Sequence, residues 1–273
     1  MRIVCVNNGY ANTKVKSATG EIIFESRIRE AIDIYETNVV SVGGKSLVVG
    51  DGQLDVDLNK TNSTTQRACL ELALKKVKAS DGIHLISAMP INAYLNTKAR
   101  AEYSNMLDNV PGVTKSHVYM EGMAAVLSDI SWYKDKLICL LDFGGLTVNA
   151  MLVENGKLVP NTAFSMQLGT IILENRIRKA LEQTELENIP DYQIKYMGDK
   201  PQVMSVIRDY IREIKQELKK AQYPTSMDYR LTGGGAAKHS VILKRHFNGA
   251  YVCQDAIWEN VRGLWLLGSV ICK

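Results

Sequence analysis

The sequence contains no apolar run that approaches the roughly 18 residues of a membrane-spanning helix. Its first six residues carry one basic side chain and an apolar run too short for a signal peptide. With 46% hydrophobic and 23% charged residues, the 273-residue chain has the composition of a soluble globular protein. We therefore expect a cytoplasmic protein without a membrane partner, large enough for one or two domains with substantial cores.

Cysteine and histidine are also scarce. The five cysteines are odd in number and form no C-x-x-C pair, which argues against a disulfide framework or a zinc site. The four histidines, at positions 84, 117, 239 and 246, are scattered, and we interpret each as a surface or core residue rather than a metal ligand. The sequence thus predicts reduced cysteines that serve mainly as small hydrophobic side chains.

Several nucleotide-binding and hydrolytic motifs are missing as well. Residues 43–46 resemble the end of a Walker A loop, but Val39 stands where that motif requires its first glycine, so a hairpin turn is predicted there. No G-x-G-x-x-G opens a helix after a strand, and no G-x-S-x-G or H-E-x-x-H is present. The net charge is only +4, and the densest basic runs, 75–78 and 215–220, lie on amphipathic helical patterns. We therefore expect no direct sequence-specific DNA binding.

What the sequence does contain is a weak internal repeat. Residues 3–16 align with residues 138–151, which places Asn7 opposite Asp142 and Gly9 opposite Gly144. Each copy consists of an apolar strand, a polar turn with glycine and a second strand, followed by a turn into a third strand. Two related halves predict a two-lobed α/β protein with a cleft between the lobes. A chance match of two short hairpins is the alternative.

Apolar spacing predicts the remaining elements. Helices are expected over 64–79, 93–107, 122–127, 170–183, 201–221 and 256–270, and strands over 82–88 and 229–232. Pro201 suits the first turn of a helix, since its missing N–H would have no partner there. Gly263 and Gly268 mark positions in the last helix where close packing is expected.

Three glycine-containing turns follow strands and carry the candidate chemistry. Glycine allows backbone N–H groups to approach a phosphate closely, so residues 7–10 and 142–145 are predicted to hold a polyphosphate from both sides. Lys14 would neutralise its charge, and Thr147 could add a hydroxyl contact. Asp142 would hold Mg²⁺ through water, because this ion prefers oxygen ligands and retains part of its hydration shell. The third turn, 232–237, would approach the sugar or the α-phosphate.

These turns, in this order, resemble those of the superfamily of actin, the heat-shock chaperones and the sugar kinases. Residues 7–14 resemble its first hairpin, D-x-G-x-x-x-K, with Asn7 in place of the aspartate, which shifts the expected metal-holding role to Asp142. Residues 141–147 resemble its second phosphate loop, and residues 231–236 its adenosine motif. The resemblance implies these nucleotide-binding residues: Asn7, Asn8, Gly9, Tyr10, Asn12, Lys14, Gly144, Gly145, Leu146, Thr147, Gly233, Gly234 and Gly235.

Further segments resemble the bacterial plasmid-segregation actins, the ParM-like group, and within it the short AlfA-type actins. These segments are 47–51, 85–94, 98–103, 119–125, 211–218 and 258–268. By this resemblance Glu121 and Asp142 are the catalytic residues, and Glu121 polarises the attacking water. The resemblance also implies that three helix residues face the base or ribose, although an exposed helix face is an alternative interpretation of them. They are Arg212, Lys215 and Gln216.

The resemblance implies a ribonuclease H-like, actin-like fold with a nucleotide cleft. One lobe would comprise residues 1–127 and 255–273, and the other residues 128–254. After its two predicted helices, the second lobe retains too few residues near 186–200 for the small subdomain that actin carries there, so this subdomain is predicted to be absent.

The implied function is an ATPase that binds ATP (or GTP) with Mg²⁺ and assembles with itself into filaments. In the plasmid-segregation group such filaments move DNA through a separate DNA-binding adaptor protein. One alternative is a small-molecule kinase of the same fold, of the pantothenate-kinase type, with Asp33, Asp51 or Asp57 as its base. Another alternative is a nucleotide-binding regulatory module without turnover, since the fold alone does not decide the activity.

Overall fold

The computed structural model describes residues 2–54, 63–185 and 200–272. The strands are β1 (Arg2–Asn8), β2 (Asn12–Ser17), β3 (Gly20–Glu25), β4 (Arg27–Glu30), β5 (Val39–Val42), β6 (Lys45–Val49), β7 (Gln53–Leu54), β8 (Ile83–Met89), β9 (Val113–Met120), β10 (Leu137–Phe143), β11 (Val148–Glu154), β12 (Lys157–Leu158), β13 (Phe164–Met166), β14 (Asp228–Thr232) and β15 (Tyr251–Val252). The α-helices are α1 (Thr64–Lys76), α2 (Ile91–Leu95), α3 (Thr97–Asp108), α4 (Met123–Ser128), α5 (Thr170–Glu185), α6 (Pro201–Lys220), α7 (Gly233–Lys238), α8 (Ser240–His246) and α9 (Glu259–Ile271). Short 3₁₀ turns cover Ile130–Tyr133 and Ala256–Trp258.

Two sheets with the same strand plan form the centres of the two lobes. The first has the order β3-β2-β1-β8-β9, and the second the order β12-β11-β10-β14-β15, with β13 added beside β11. In each sheet an antiparallel meander is followed by two parallel strands. The internal repeat predicted from residues 3–16 and 138–151 is therefore a repeat of topology.

The central strand of the second sheet shows why its sequence is almost wholly apolar. In β10 every residue after Leu137 is buried. Cys139 and Leu141 face a core shared with α5 and α6, whereas Ile138 and Leu140 face a second core with Tyr133. A strand covered on both faces needs a continuous apolar run rather than alternation.

Helices α4 and α9 cross where the two lobes meet. A Cβ atom at Gly263 of α9 would lie 1.5 Å from the carbonyl oxygen of Ala124 in α4, so the two backbones touch. Along its length α9 covers the first sheet, with Val261 and Leu264 packed on Cys5 and Ile86. The close packing predicted at Gly263 is thus present.

A third, small sheet, β5-β6-β4-β7, extends the first lobe. Its β5–β6 hairpin turns at Gly43 and Gly44, which have φ of 57° and 79°, a region that glycine adopts without strain. The Walker-like residues 43–46 therefore form the predicted hairpin turn. The connection from β4 to β5 leaves Ile32, Ile34 and Tyr35 exposed.

The structure differs from the predicted elements in three places. The helix predicted over 93–107 is divided into α2 and α3 at Asn96, which has extended backbone and accepts a hydrogen bond from the Ala99 N–H as an N-cap. Residues 119–120 belong to the segment that resembles the first interdomain helix of the plasmid-segregation actins, but here they end β9, and Glu121 lies in the turn before α4. The glycine turn predicted at 233–235 is the first turn of α7.

In the described part of the second lobe one sheet carries α5 and α6, and no second sheet occurs there. Residues 186–199, in the interval where any extra lobe would have to lie, and Asp57 fall outside the described residues. None of the described helices has the length and apolar character needed to cross a bilayer.

Candidate functional site

The first hairpin loop is shaped by a glycine that no other residue could replace without displacement. The Gly9 N–H donates to the Asn7 carbonyl oxygen at 3.1 Å, and a Cβ at Gly9 would lie 2.9 Å from the carbonyl oxygen of Asn12. Asn7 and Lys14 are paired across the hairpin and both line the cleft between the lobes. The loop thus brings a glycine, a buried amide side chain and an amine together at the cleft.

The second hairpin loop is fixed by the start of α5. The Thr170 N–H donates to the Gly144 carbonyl oxygen and the Ile171 N–H to the Gly145 carbonyl oxygen, both at 3.0 Å. A Cβ at Gly169 would lie 2.2 Å from the Gly145 carbonyl oxygen. Two of the loop's carbonyl groups therefore point into α5. This arrangement leaves the opposite side of the loop, which includes Thr147, facing the cleft.

The two loops, which belong to different sheets, lie against each other. A Cβ at Gly145 would lie 3.0 Å from the Ala11 Cβ and 3.1 Å from the Ala11 nitrogen. Residues of both loops line one cleft with a volume of about 730 Å³. The structure therefore brings together the loops that the sequence predicts as two sides of one polyphosphate site.

The cleft contains two buried carboxylates, Asp142 and Glu121. The Asn260 side chain donates to Asp142 Oδ2 at 2.8 Å, and the Asn149 side chain donates to Glu121 Oε2 at 3.2 Å. Burial, aided by the negative charge of Glu121, raises the pKa of Asp142 to about 6, although the Asn260 hydrogen bond opposes this. The site is therefore electrostatically short of positive charge around Asp142.

Asn7 completes this centre with an unsatisfied acceptor. Its Oδ1 is buried and has no hydrogen-bond partner among the described residues. Buried side-chain oxygens are usually hydrogen-bonded, so this one indicates a donor that binds in the cleft. An amide oxygen, a carboxylate with a raised pKa, the Lys14 amine and two glycine-containing loops around one cleft fit a hydrated Mg²⁺ with a phosphate chain.

The third surface of the cleft is the start of α7. Gly233 has φ of 88°, and a Cβ there would lie 2.4 Å from Asp142 Oδ1, so this glycine allows the strand end to pass beside the carboxylate. At Gly235 a Cβ would lie 2.2 Å from the Thr170 side chain, whereas at Gly234 the nearest atoms are 3.8 Å away. Gly235 therefore serves packing, and Gly234 is the open position that lines the cleft.

The sequence did not indicate the wall that α5 contributes. Glu174, Asn175 and Arg178 all line the cleft from this helix. Burial alone would raise the pKa of Glu174, but hydrogen bonds from His239 and Lys238 outweigh it and lower the pKa. This wall is therefore polar and charged, as a surface beside a nucleotide base or ribose would be.

Five of the residues predicted to bind the nucleotide do not line the cleft. Asn8 donates from its side chain to the Gln66 carbonyl oxygen, inside the first lobe, and Leu146 is buried. Arg212 pairs with Asp209 on the surface of α6, and the Lys215 amine donates to the His246 carbonyl oxygen. Gln216 borders a separate groove of about 330 Å³ beside β13.

Comparison with known proteins shows that this fold is similar to the fold of actin-like proteins. Residues 6–126 match the family described as the N-terminal domain of actin-like proteins. The chain superposes on Ta0583, an archaeal actin homologue, with a TM-score of 0.81 and 16% identity over 98% of this chain and 99% of that one. No curated protein matches the sequence at a significant level.

Two further similar structures are filaments. A 15-stranded ParM filament from Clostridium botulinum has a TM-score of 0.76 and 16% identity over 98% of this chain and 99% of that one. The Alp12 filament has a TM-score of 0.70 and 18% identity over 100% and 99% of the two chains. The predicted actin-like fold and the predicted resemblance to the ParM-like actins are thereby confirmed. The superpositions establish the fold. At such low sequence identity they do not establish the activity, which has to be argued from the site.

Proposed function

We propose that the protein is an actin-like ATPase that assembles into nucleotide-dependent filaments. The observation that carries this proposal is the meeting of the Gly9 and Gly144 loops over Asp142, Asn7 and Lys14 in one cleft. Similar proteins add support, since Ta0583 also occurs in a complex with ADP, and ParM and Alp12 occur as filaments. The finer proposal is plasmid DNA segregation through a DNA-binding adaptor, as the resemblance of the sequence implies.

In this proposal each polar group of the cleft has a definite task. Lys14 and the loop N–H groups hold the phosphates, and Asp142 and Asn7 accept hydrogen bonds from metal-bound water. When bound, Mg²⁺ neutralises charge that develops on the phosphate oxygens. Glu121 holds and orients the attacking water, and Asn149 fixes the Glu121 carboxylate. Catalysis then comes from positioning and charge stabilisation.

Self-association is supported by the exposed apolar loop between β4 and β5 of the first lobe. Ile32, Ile34 and Tyr35 are 88%, 90% and 86% exposed. Neighbouring apolar side chains that stay exposed mark an interaction surface. A second copy is the partner that the filament proposal requires, because a head-to-tail contact that does not close a ring produces a filament.

The function is tested by pelleting and electron microscopy of the purified chain with ATP, with GTP, with ADP and without nucleotide. Filaments with a triphosphate that disassemble after phosphate release are the expected result. Phosphate transfer that instead depends on an added metabolite, without pelleting, would support the kinase alternative. Unchanged ATP after long incubation would support the regulatory module.

The kinase alternative gains no support from its candidate bases. Asp51 is paired with Arg29, and Asp33 accepts a hydrogen bond from the Tyr35 N–H within its own loop. Neither residue lines the cleft, and Asp57 lies outside the described residues. A carboxylate base beside an acceptor hydroxyl is therefore not provided by the described members of this set.

We predict that Ile32→Ser combined with Ile34→Ser abolishes pelleting with ATP while single-chain nucleotide binding is unchanged. The reason is that both apolar side chains leave water only when another chain covers them. Val241→Ser is the control, because Val241 is also exposed, at 64%, but lies on α8. Pelleting of the double variant at the wild-type protein concentration would exclude the loop as a filament contact.

We predict that Glu121→Gln lowers phosphate release by about 100-fold or more, the usual contribution of a general base. Nucleotide affinity should change little, because glutamine keeps the size of the side chain. Filaments of this variant should persist after assembly, since hydrolysis no longer destabilises them. Phosphate release and filament lifetime are the two measurements.

Asn149→Ala separates positioning from chemistry at the same site. It removes the donor to Glu121 Oε2 without touching the carboxylate, so kcat should fall less than in Glu121→Gln, at an unchanged nucleotide affinity. Wild-type turnover in Glu121→Gln would refute the role assigned to Glu121.

A further inference from the structure

A cluster outside the cleft combines two histidines and a cysteine that are far apart in the sequence. His84 lies on β8, His117 on β9 and Cys272 immediately after α9. The register pairs His117 with Ile86, so His84 and His117 project from the same face of the first sheet. This is the face that α9 covers, and the end of α9 brings Cys272 to the two imidazoles.

The distances suit a shared ligand. One ligand atom from each of the three residues lies within 4.8 Å of the others. His84 Nδ1 and Cys272 Sγ are 3.3 Å apart. Tetrahedral Zn²⁺ with bonds of about 2.0 Å to nitrogen and 2.3 Å to sulfur places its ligand atoms about 3.3–3.5 Å apart. Small side-chain rotations therefore suffice to close the cluster around one ion.

The protein leaves one of these imidazoles incompletely satisfied. His117 Nε2 is buried and has no hydrogen-bond partner among the described residues. Burial, together with the positive charges of Lys115 and His84, lowers the pKa of His117, although Asp108 opposes this. An unsatisfied imidazole nitrogen beside a second imidazole and a thiol is an arrangement that a bound cation would complete.

We propose that His84, His117 and Cys272 form a binding site for a thiophilic divalent cation, of which Zn²⁺ is the best candidate. Two imidazoles and a thiolate select such an ion over Mg²⁺, which prefers oxygen ligands. Binding releases the thiol proton of Cys272 to solvent, and a fourth position remains for water. None of the three residues lines the nucleotide cleft, so the site is independent of the proposed ATPase activity.

The site would fasten the end of α9 to the sheet that α9 covers. Cys272 is the C-cap of this helix, and its N–H donates to the Gly268 carbonyl oxygen. A metal bond from Cys272 to β8 and β9 would add a link at the last turn of a helix that also crosses α4. Zn²⁺ should therefore raise the urea midpoint of unfolding, since a ligand that binds only the folded state stabilises it.

The test uses Co²⁺ and Zn²⁺ with the purified chain, free of any polyhistidine tag, in excess Mg²⁺ to occupy oxygen sites. The wild-type protein should bind one equivalent of Co²⁺ and show the near-ultraviolet band of a cobalt–thiolate bond. Cys272→Ser should lose this band, and both Cys272→Ser and His117→Gln should weaken Zn²⁺ binding by more than about tenfold. Zn²⁺ should raise the urea midpoint of the wild-type protein but not that of Cys272→Ser.

Cys253→Ser is the matched control, because Cys253 is a half-buried free cysteine outside the cluster. It should retain the cobalt–thiolate band and the Zn²⁺ affinity of the wild-type protein. The proposal is overturned by equal Zn²⁺ affinity in wild-type protein and Cys272→Ser, or by loss of the band in Cys253→Ser. Urea unfolding without metal verifies that each variant is folded, so a loss of binding is not a loss of structure.

Discussion

Asp142→Asn is expected to stabilise the nucleotide-free protein and, at the same time, to abolish phosphate release. Burial raises the pKa of Asp142 from 3.8 to about 6, so at neutral pH the folded chain carries a charge that the fold disfavours. This change corresponds to about 3 kcal/mol at most. Asparagine removes the charge and keeps an oxygen that can accept the hydrogen bond from Asn260.

The sign of the pH dependence follows from the raised pKa. Between pH 3.8 and 6 the folded state binds more protons at Asp142 than the unfolded state, so the contribution of this group to stability falls as the pH rises. Wild-type protein and Asp142→Asn should therefore have similar urea midpoints near pH 4. The variant should become the more stable one as the pH rises from about 4 to about 6, and the difference should change little above that.

The loss of activity has a different cause. Asparagine cannot offer the anionic oxygen that, in our proposal, holds metal-bound water, so phosphate release should fall by about 1,000-fold. Asp228→Asn, at the exposed start of β14, makes the same chemical change in the same sheet and should leave both quantities unchanged. Phosphate release by Asp142→Asn at the wild-type rate would contradict the assigned role.

The parts of the site that were predictable are those encoded in neighbouring residues. The Gly9 and Gly144 turns each follow an apolar strand, and the repeat itself places Asn7 and Asp142 at equivalent points. The hairpin registers, Asn7 with Lys14 and Asp142 with Asn149, show that the repeat could also have revealed Asn149. Local turn chemistry specifies such positions through neighbouring residues alone.

Residues that enter the site through tertiary packing were not predictable in this way. Asn260 reaches Asp142 only because α9 crosses from one lobe to the other, and no local motif marks it. Likewise, the cleft wall comes from α5, not from Arg212, Lys215 and Gln216 of α6. Both helices are amphipathic, so the sequence pattern does not show which of them borders the cleft. Only their placement on the sheet decides this. Asn8 shows the opposite case, since alternation along a strand already turns its side chain away from that of Asn7.

The same limit applies to the cluster of His84, His117 and Cys272. Its members are separated by 33 and 155 residues of sequence, so no spacing rule for zinc ligands includes them. Only the parallel pairing of β8 with β9 and the return of α9 bring them together. The interpretation of the histidines as scattered was based on their separation along the sequence. In a sheet with crossover connections, residues that are distant in sequence can be close in space.

The second large effect concerns the crossing of α4 and α9. Gly263→Ala is expected to cost at least about 3 kcal/mol of unfolding free energy, because the new Cβ would overlap the Ala124 carbonyl oxygen at 1.5 Å. The new Cβ is attached directly to the α9 backbone and the atom it meets is α4 backbone, so neither can rotate away and the helices must separate. Alanine would otherwise favour the helix by about 1 kcal/mol over glycine, which makes a loss of stability a clear sign of the clash.

Gly268→Ala is the matched control in the same helix. Its Cβ would meet Ile86 Cδ1, the far end of a side chain that can rotate, at 2.2 Å, and the Ile3 Cγ2 methyl group at 3.1 Å. The cost should therefore be about 1 kcal/mol or less, partly offset by the gain in helix propensity. Urea midpoints of the two variants give the comparison, and equal midpoints would show that the backbone contact at Gly263 does not hold the lobes together.

Because Asn260 lies one turn before Gly263 on α9, a separated crossing should also displace the donor to Asp142. Gly263→Ala protein that remains folded should therefore bind nucleotide more weakly than Gly268→Ala.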